Sequence, residues 1–514
     1  MNETTARRRT YQLGAREPRI LLGLGAPELA VLAAGLALAL TAVNADKTLL
    51  GFSVALTLAL GAAVMAWVPI AGRSTAQWTV VALRWIVMRL TGAIAWRHAG
   101  TTTGTTALGT LHDVVDVPGE LGRLELIEAP LFEGDDAGPR VGVLADRKGG
   151  TYTAALLVRA DQNFGLQSTA AQEGDLAEWG QLLATLARDR SPLRRLAWIE
   201  RTLPEPSDGL LEDLVQHKSP QLDWSDPAVA SYLELVQSAG RQTDEHELLI
   251  VAQVSAAAAR RVGRRRGWTG EHASVRVLMD ELRAIADELD HTGMEVRRPL
   301  SARGLSVAVR TGLDPWSRAT LERLLPTTDA AAGTRAAQDV EAQMSPAARQ
   351  EHWDRIIYDG SQHAVLWVSD WPTTRKSAAF LAPLLLGGDV TRTVAVVMEL
   401  LGPRRGMREV ESQVSSNESA EDLRAEHGKR TTRRMRKRAQ ADSRREDELS
   451  EGQVDVRFAG YIGVSAPGTD PNVLQASVDL VTRRAATCGL TVQRMWGMQA
   501  QGMTFLLPTG RGLK

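Results

Sequence analysis

Apolar and polar positions along the chain change character twice. Near the N-terminus stand two unbroken apolar runs. "ILLGLGAPELAVLAAGLALALTAV" (20–43) holds one charge, Glu28, and "LLGFSVALTLALGAAVMAWVPIAG" (49–72) holds none. Each reaches the roughly 20 residues needed to cross a hydrocarbon core of about 30 Å. The intervening "NADKT" leaves room only for a tight turn. The pattern predicts a transmembrane helical hairpin over 20–72 behind a basic tail, 1–19. A cleaved signal peptide would show a shorter apolar stretch and a small-residue cleavage site. Arg7, Arg8, Arg9, Arg16 and Arg19 precede the hairpin and Arg73, Arg84, Arg89 and Arg97 follow it, while the turn carries only Lys47 beside Asp46. This charge bias predicts both termini in the cytoplasm, and the chain is expected in the inner (plasma) membrane. Glu28 lies about two turns inside the first span, where a charge is costly. Protonation, an interfacial position or a partner on another subunit would each account for it.

The next stretch, "STAQWTVVALRWIVMRLTGAIAWRH" (74–98), is amphipathic. Trp78, Val81, Trp85 and Met88 recur at helical spacing beside Arg84 and Arg89. Indoles with a basic rim suit a helix lying flat at a bilayer surface. Trp67, Trp78, Arg84, Trp85 and Arg89 are therefore the candidate membrane-interface residues. Two internal arginines argue against a third span. "AGTTTGTTALGT" (99–110) has no apolar period and reads as a Gly/Thr linker that closes the 73–110 region.

Beyond it the pattern is mixed α/β, predicted to form a cytoplasmic domain over 111–325. "GELGRLELIEAP" and "RVGVLADRKGGTYTAALLVRA" read as strands, the latter a hairpin about "RKGG". Helices are predicted over 173–189, 226–240 and 274–293, strands over 193–205 and 246–256, and "GLSVAVRTG" (304–312) leads out through "LDPW". Residues 326–350 are small and polar, a linker. In 351–514 a strand–helix–strand unit occurs twice, at 361–402 and 453–497, and a ferredoxin-like split βαβ domain is their natural sum. A charged helical excursion, 403–450, lies between them. The fold class is thus a membrane-anchored α/β protein, a hairpin followed by cytoplasmic α+β domains.

Composition narrows the chemistry. A net charge of −1 over 514 residues argues against a surface that is an electrostatic trap for nucleic acid throughout. One cysteine, Cys488, excludes an intrachain disulfide framework and a cysteine-built zinc site. Abundant Ala, Arg and Gly point to a high-GC bacterial source. "LRAEHGKRT" has Gly428 and Lys429, but Leu423 and Arg430 stand where a Walker A loop needs glycine and Ser/Thr. "HELLI" (246–250) lacks the second histidine of a zinc H-E-x-x-H, and the nine histidines are scattered. "LHDVVD" (111–116) sets a histidine beside an aspartate with no second metal-binding pair, and there is no G-x-S-x-G elbow. The sequence predicts no catalytic residue, metal site or cofactor.

"TYQLGAREPRILLGLG" (10–25), running into a two-span hairpin, resembles the actinobacterial PrgI-type membrane proteins of type IV secretion-like (conjugation) loci. "YTAALLVRA", "VLWVSDWPTTRKSAAFLAPLL", "YIGVSAPGTDPNVLQASVDLV" and "MWGMQAQGMTFLLPTGRG" are similar to the non-ATPase N-terminal domain of conjugative motor ATPases of the TraC/TrbE kind. In those motors a nucleotide-binding domain follows the "PTGRG"-like segment, whereas this sequence stops at Lys514. The resemblance implies a non-catalytic, membrane-tethered half of a split motor, an oligomeric scaffold on which a separate ATPase and other channel subunits dock. A rival resemblance is to the EccE component of type VII secretion. A third reading is a membrane-tethered subunit that binds nucleic acid.

That third reading rests on "KRTTRRMRKR", seven basic residues in ten: Lys429, Arg430, Arg433, Arg434, Arg436, Lys437 and Arg438. Acids flank the run on both sides, and Asp422–Glu426–Arg430 and Arg438–Asp442–Glu446 can pair along one helical face. Apolar residues are too sparse for a buried stripe. The spacing predicts a long, solvent-facing helix, with these seven residues as a partner-docking handle. A merely solvated face and contact with phosphate or lipid are the alternatives.

Overall fold

The structure is a computed structural model. It describes residues 26–67, 73–98, 124–132, 138–160, 167–204, 226–239, 244–318, 344–372, 376–402 and 455–513, with a few shorter pieces between them. Two apolar helices come first, α1 (Ala26–Ala45) and α2 (Leu49–Trp67), followed by the amphipathic α3 (Thr75–Leu90). Two short two-stranded pairs flank α3: β1 (Pro69–Ile70) with β2 (Arg73–Ser74), and β4 (Thr102–Thr105) with β5 (Leu111–Val114). The stretch expected to be a plain Gly/Thr linker therefore supplies a strand.

The rest is built on one sheet of 13 strands. In chain order these are β3 (Ala95–Arg97), β6 (Leu124–Pro130), β7 (Arg140–Asp146), β8 (Thr151–Ala160), β9 (Leu193–Pro204), β10 (Asp244–Ser255) and β11 (Met294–Pro299). There follow β12 (Ala348–Glu351), β13 (Ile356–Tyr358), β14 (Ser361–Asp370), β15 (Arg392–Leu401), β16 (Asp455–Pro467) and β17 (Thr491–Arg494). Their order is β3-β12-β13-β14-β16-β15-β9-β10-β8-β7-β6, with β17 on β14 and β11 on β8. All the pairings are antiparallel. Each helix crossover jumps over a strand that runs the other way.

The order reads the same from its centre outward. β8, helix, β9, β10, helix, β11 lie as β11-β8-β10-β9, and β14, helix, β15, β16, helix, β17 lie as β17-β14-β16-β15. A hairpin precedes the first strand of each set, and a short helix follows the last: Ala302–Leu313 in one, Gln499–Leu506 in the other. The two halves meet where β15 pairs β9, from Arg392↔Thr202 to Met398↔Leu196. Ile199↔Ala395 is the central pair of a pseudo-two-fold axis. "GLSVAVRTG" belongs to the helix Ala302–Leu313, started by Ser301, whose hydroxyl accepts from Gly304 N at 3.2 Å.

Strand alternation sets the layers. Ala154, Leu156, Val158, Ile250, Ala252 and Val254 face the helices Thr169–Leu186 and Gly270–Leu289. In the second half, Ala364, Leu366, Val368, Ile462 and Val464 meet the helix Pro471–Cys488. On the opposite face Ala155, Ile199, Leu249 and Val251 share one core with Val365, Ala395, Val397 and Tyr461. Leu305, Val309, Met503 and Leu506 of the two short helices cover it. That shared core joins the strands of 111–325 and of 351–514 into one body.

Within it His363 is fully buried, Nδ1 2.8 Å from Ser465 Oγ, and burial holds its pKa down to about 4. Unfolded, it would titrate near 6.5. Between those values the unfolded chain binds the extra proton, so stability falls as pH falls from about 6.5 toward 4. From pH 7 to 5 the expected loss from this group is about 2 kcal/mol. Urea unfolding at the two pH values, compared with His363→Gln, checks it: the variant should lose that part of the slope, and an unchanged slope would contradict it.

Candidate functional site

The apolar hairpin packs through small residues. Ala39, Ala55, Ala62 and Ala66 are buried between α1 and α2, and a Cβ on Gly35 would stand 2.2 Å from Ala62 Cβ. Such close backbone approach is how helices associate where no water drives them together. Outside that seam the helices are bare: Leu40 is 63%, Leu56 67% and Leu60 64% exposed. Only 17% and 22% of their apolar windows are buried, unlike the core helices of the sheet body. Length and composition make them two candidate membrane spans. The turn is held by Asp46 Oδ1, which accepts from Thr48 N at 2.9 Å, and that hydrogen bond lowers the Asp46 pKa. Glu28 is buried, at 4% exposure.

The helix α3 is the coupling between hairpin and body. Trp353, in the β12–β13 turn, receives Trp85 edge-on at 5.3 Å and Trp78 at 6.1 Å. Arg84 Nη1 donates to Gln501 Oε1 at 3.0 Å, and the Arg89 guanidinium lies 5.4 Å from the Trp85 ring centre. Directly after α3, β3 joins the sheet beside β12, where Arg349 Nη2 donates to Ala93 O. Of the expected interface residues, Trp78 and Trp85 thus turn toward the body, while Arg84 and Arg89 are exposed. The Trp67 side chain lies outside the described residues. The apolar side chains α3 leaves in the open are Val80, Leu83, Ile86, Val87 and Leu90, from 49% to 82% exposed. They occupy the opposite face of α3. Sequence periodicity marks the Trp78–Val81–Trp85–Met88 stripe but not the side it faces. Only the distant Trp353 and Gln501 decide that.

At the other end of the chain, Leu507–Leu513 ("LPTGRGL") runs across the shared-core face as a strap. Thr509 O accepts from Gln253 Nε2 at 3.1 Å, and Gly510 O from Arg195 Nη1 at 3.2 Å. Arg195 also donates to Leu513 O, and the Tyr461 hydroxyl donates to Gly512 O. Arg511 pairs with Asp146 at 3.3 Å. Desolvation lowers the Arg195 pKa. No motif marks the partners of the strap, which come from five strands, Thr153 Oγ1 of β8 also donating to Thr509 O at 3.4 Å.

Among the described residues no group of three or more His, Cys, Asp or Glu is placed to hold a metal ion. Among the described residues a cavity is lined by Arg147, Tyr152, Arg260 and Glu271. Within it Arg147 reaches both Glu271 oxygens at 3.2 Å, the Tyr152 hydroxyl donates to Glu271 at 3.1 Å, and Arg260 Nε donates to Ala256 O at 3.1 Å. Burial pushes the Tyr152 pKa up. The seven candidate docking residues, Lys429 to Arg438, lie outside the described residues. No family model matches this chain, and no curated protein matches it.

Proposed function

We propose that this chain is an inner-membrane scaffold subunit of a type IV secretion-like apparatus, which anchors and positions a separate motor ATPase. The observation that carries the reading is a bare apolar hairpin fastened, through the Trp78–Trp85–Trp353 cluster, to a folded body. In this reading α1 and α2 span the bilayer, α3 lies at its cytoplasmic surface on the Leu83–Leu90 stripe, and the body hangs below. Each half is a ferredoxin-like split βαβ unit. Support comes from the connectivity strand, helix, strand, strand, helix, strand in each half, with its first strand between the third and fourth.

The stretches that carry the resemblance to the motor ATPases' non-catalytic domain fall on structurally matched places. "YTAALLVRA" is β8 and "VLWVSDW" is β14, the equivalent first strands of the two halves. "YIGVSAPGTDPNVLQASVDLV" is β16 with its helix, and "MWGMQAQGMTFLLPTGRG" is the last helix with the strap. The scaffold has no catalytic step of its own in this account. Affinity purification of the full chain from its native membranes in mild detergent tests the role. A P-loop ATPase encoded at the same locus should co-purify; a clean monomer without it would overturn the scaffold reading.

A further inference from the structure

We infer that one end of the sheet in the first half is a binding face for the phosphate backbone of a nucleic acid. The topology brings three sequence-distant basic stretches to that end: the loop before β9, the helix after β10, and the exit of β15. Ser255 N donates to Pro192 O at 3.0 Å, and Arg404 N to Asp189 Oδ1 at 3.3 Å, so the three are in contact. The helix Ala256–Arg264 presents Ala256, Ala259 and Gly263 inward, with Gly263 tight against Ala273. Outward it presents arginine.

The acids here are already taken. Glu281 pairs with Arg188, Asp189 with Arg404, Asp280 with Arg266 and Arg283, and Glu271 with Arg147. That leaves Arg190, Arg194, Arg261, Arg264 and Arg265 exposed, with no carboxylate in ion-pair reach among the described residues. The fold does not require the arginine helix. In the second half the equivalent step from β16 to its helix is only Gly468–Asp470, with Asp470 as the cap.

A surplus of like charge held together destabilises the free protein and is relieved by an anionic partner. The cations are all guanidinium, whose fork of donors fits phosphate oxygens. A lipid surface fits less well. None of the exposed large apolar side chains among the described residues lies in 188–194, 256–267 or 402–407, so nothing here would insert into a bilayer. This assignment is independent of the scaffold role.

The test is fluorescence anisotropy of the full chain, in detergent, with a labelled 30-bp duplex of arbitrary sequence across a salt series. Two variants accompany it. One replaces Arg194, Arg261, Arg264 and Arg265 by serine, and the other replaces Lys429, Arg430, Arg433 and Arg434 by serine. The wild type should bind at low salt with a steep salt dependence. The first variant should bind at least about tenfold more weakly, its log–log slope shallower by about 3 to 4, at an unchanged melting temperature. Any of three results overturns the inference: a wild type that ignores the duplex at low salt, loss confined to the second variant, or unchanged binding by the first. Co-flotation with phosphatidylglycerol vesicles that the first variant alone loses, without duplex binding, would make the face a lipid surface instead.

Discussion

Glu247→Ala is expected to destabilise the body by about 3–5 kcal/mol, the range for stripping a buried charge of its partner. Arg201 is 1% exposed, on the shared-core face beneath the helix Ala302–Leu313. Its Nε donates to Glu247 Oε2 at 2.8 Å, a second nitrogen reaches the same oxygen, and Nη1 donates to Ala308 O at 2.6 Å. The pair faces directly across β9 and β10. With Glu247 gone, the buried guanidinium keeps only the carbonyl of Ala308. The double variant Arg201→Met/Glu247→Leu removes the charge with its partner and is expected to lie close to wild type. Urea unfolding in mild detergent measures both. A loss below about 1 kcal/mol for Glu247→Ala would show that Arg201 finds water or another acceptor.

Gly510→Ala is expected to free the C-terminal strap. Gly510 has φ +64°, and its Cβ would stand 2.7 Å from Gln253 Nε2. The left-handed backbone alone costs an ordinary residue on the order of 1–3 kcal/mol. The clash comes on top, because Gln253 is buried and cannot retreat without losing its bonds to Thr509 O and to Thr153 Oγ1 at 3.2 Å. Gly468→Ala isolates the backbone part: its φ is +70°, and nothing lies within 4 Å of the added carbon. Amide exchange should accelerate over 507–513 in Gly510→Ala and stay slow there in Gly468→Ala. Equal exchange in the two variants would mean that the strap is not locked by this contact.

Most individual elements are legible in the sequence because their apolar period is strong. The hairpin about "RKGG", the helix of 274–293 and the strands β9 and β10 all lie close to where alternation and helical spacing put them. The internal repeat is not legible. β8 reads TYTAALLVRA and β14 reads SQHAVLWVSD, and they share only Ala154/Ala364, Leu156/Leu366 and Val158/Val368, the three positions that face the helices. What repeats is the inward face, and any apolar residue of similar size satisfies it. The first copy also carries the extra helix Ala256–Arg264, while the second crosses from β14 to β15 with only the short Ala382–Leu385, so the two spacings differ.

The candidate surfaces divide in the same way. The hairpin declares itself by length and lack of charge. The inward turn of Trp78 and Trp85 depends on Trp353, more than 250 residues away in the sequence. The surplus arginines of the first half are not legible beside the longer run at 429–438, since local charge density says nothing of which acids the fold has already paired. Asp280 and Glu281, the partners that neutralise Arg266 and Arg188, come from a helix that sequence proximity does not connect to them all.

Alkaline carbonate extraction of native membranes tests the central claim most directly. The full chain should remain in the membrane pellet, because Leu, Val and Phe along α1 and α2 stand exposed with no cover among the described residues. A chain lacking 26–67 should be released to the supernatant. Release of the full chain by carbonate would contradict the account, making the hairpin a part of a soluble assembly and not an anchor.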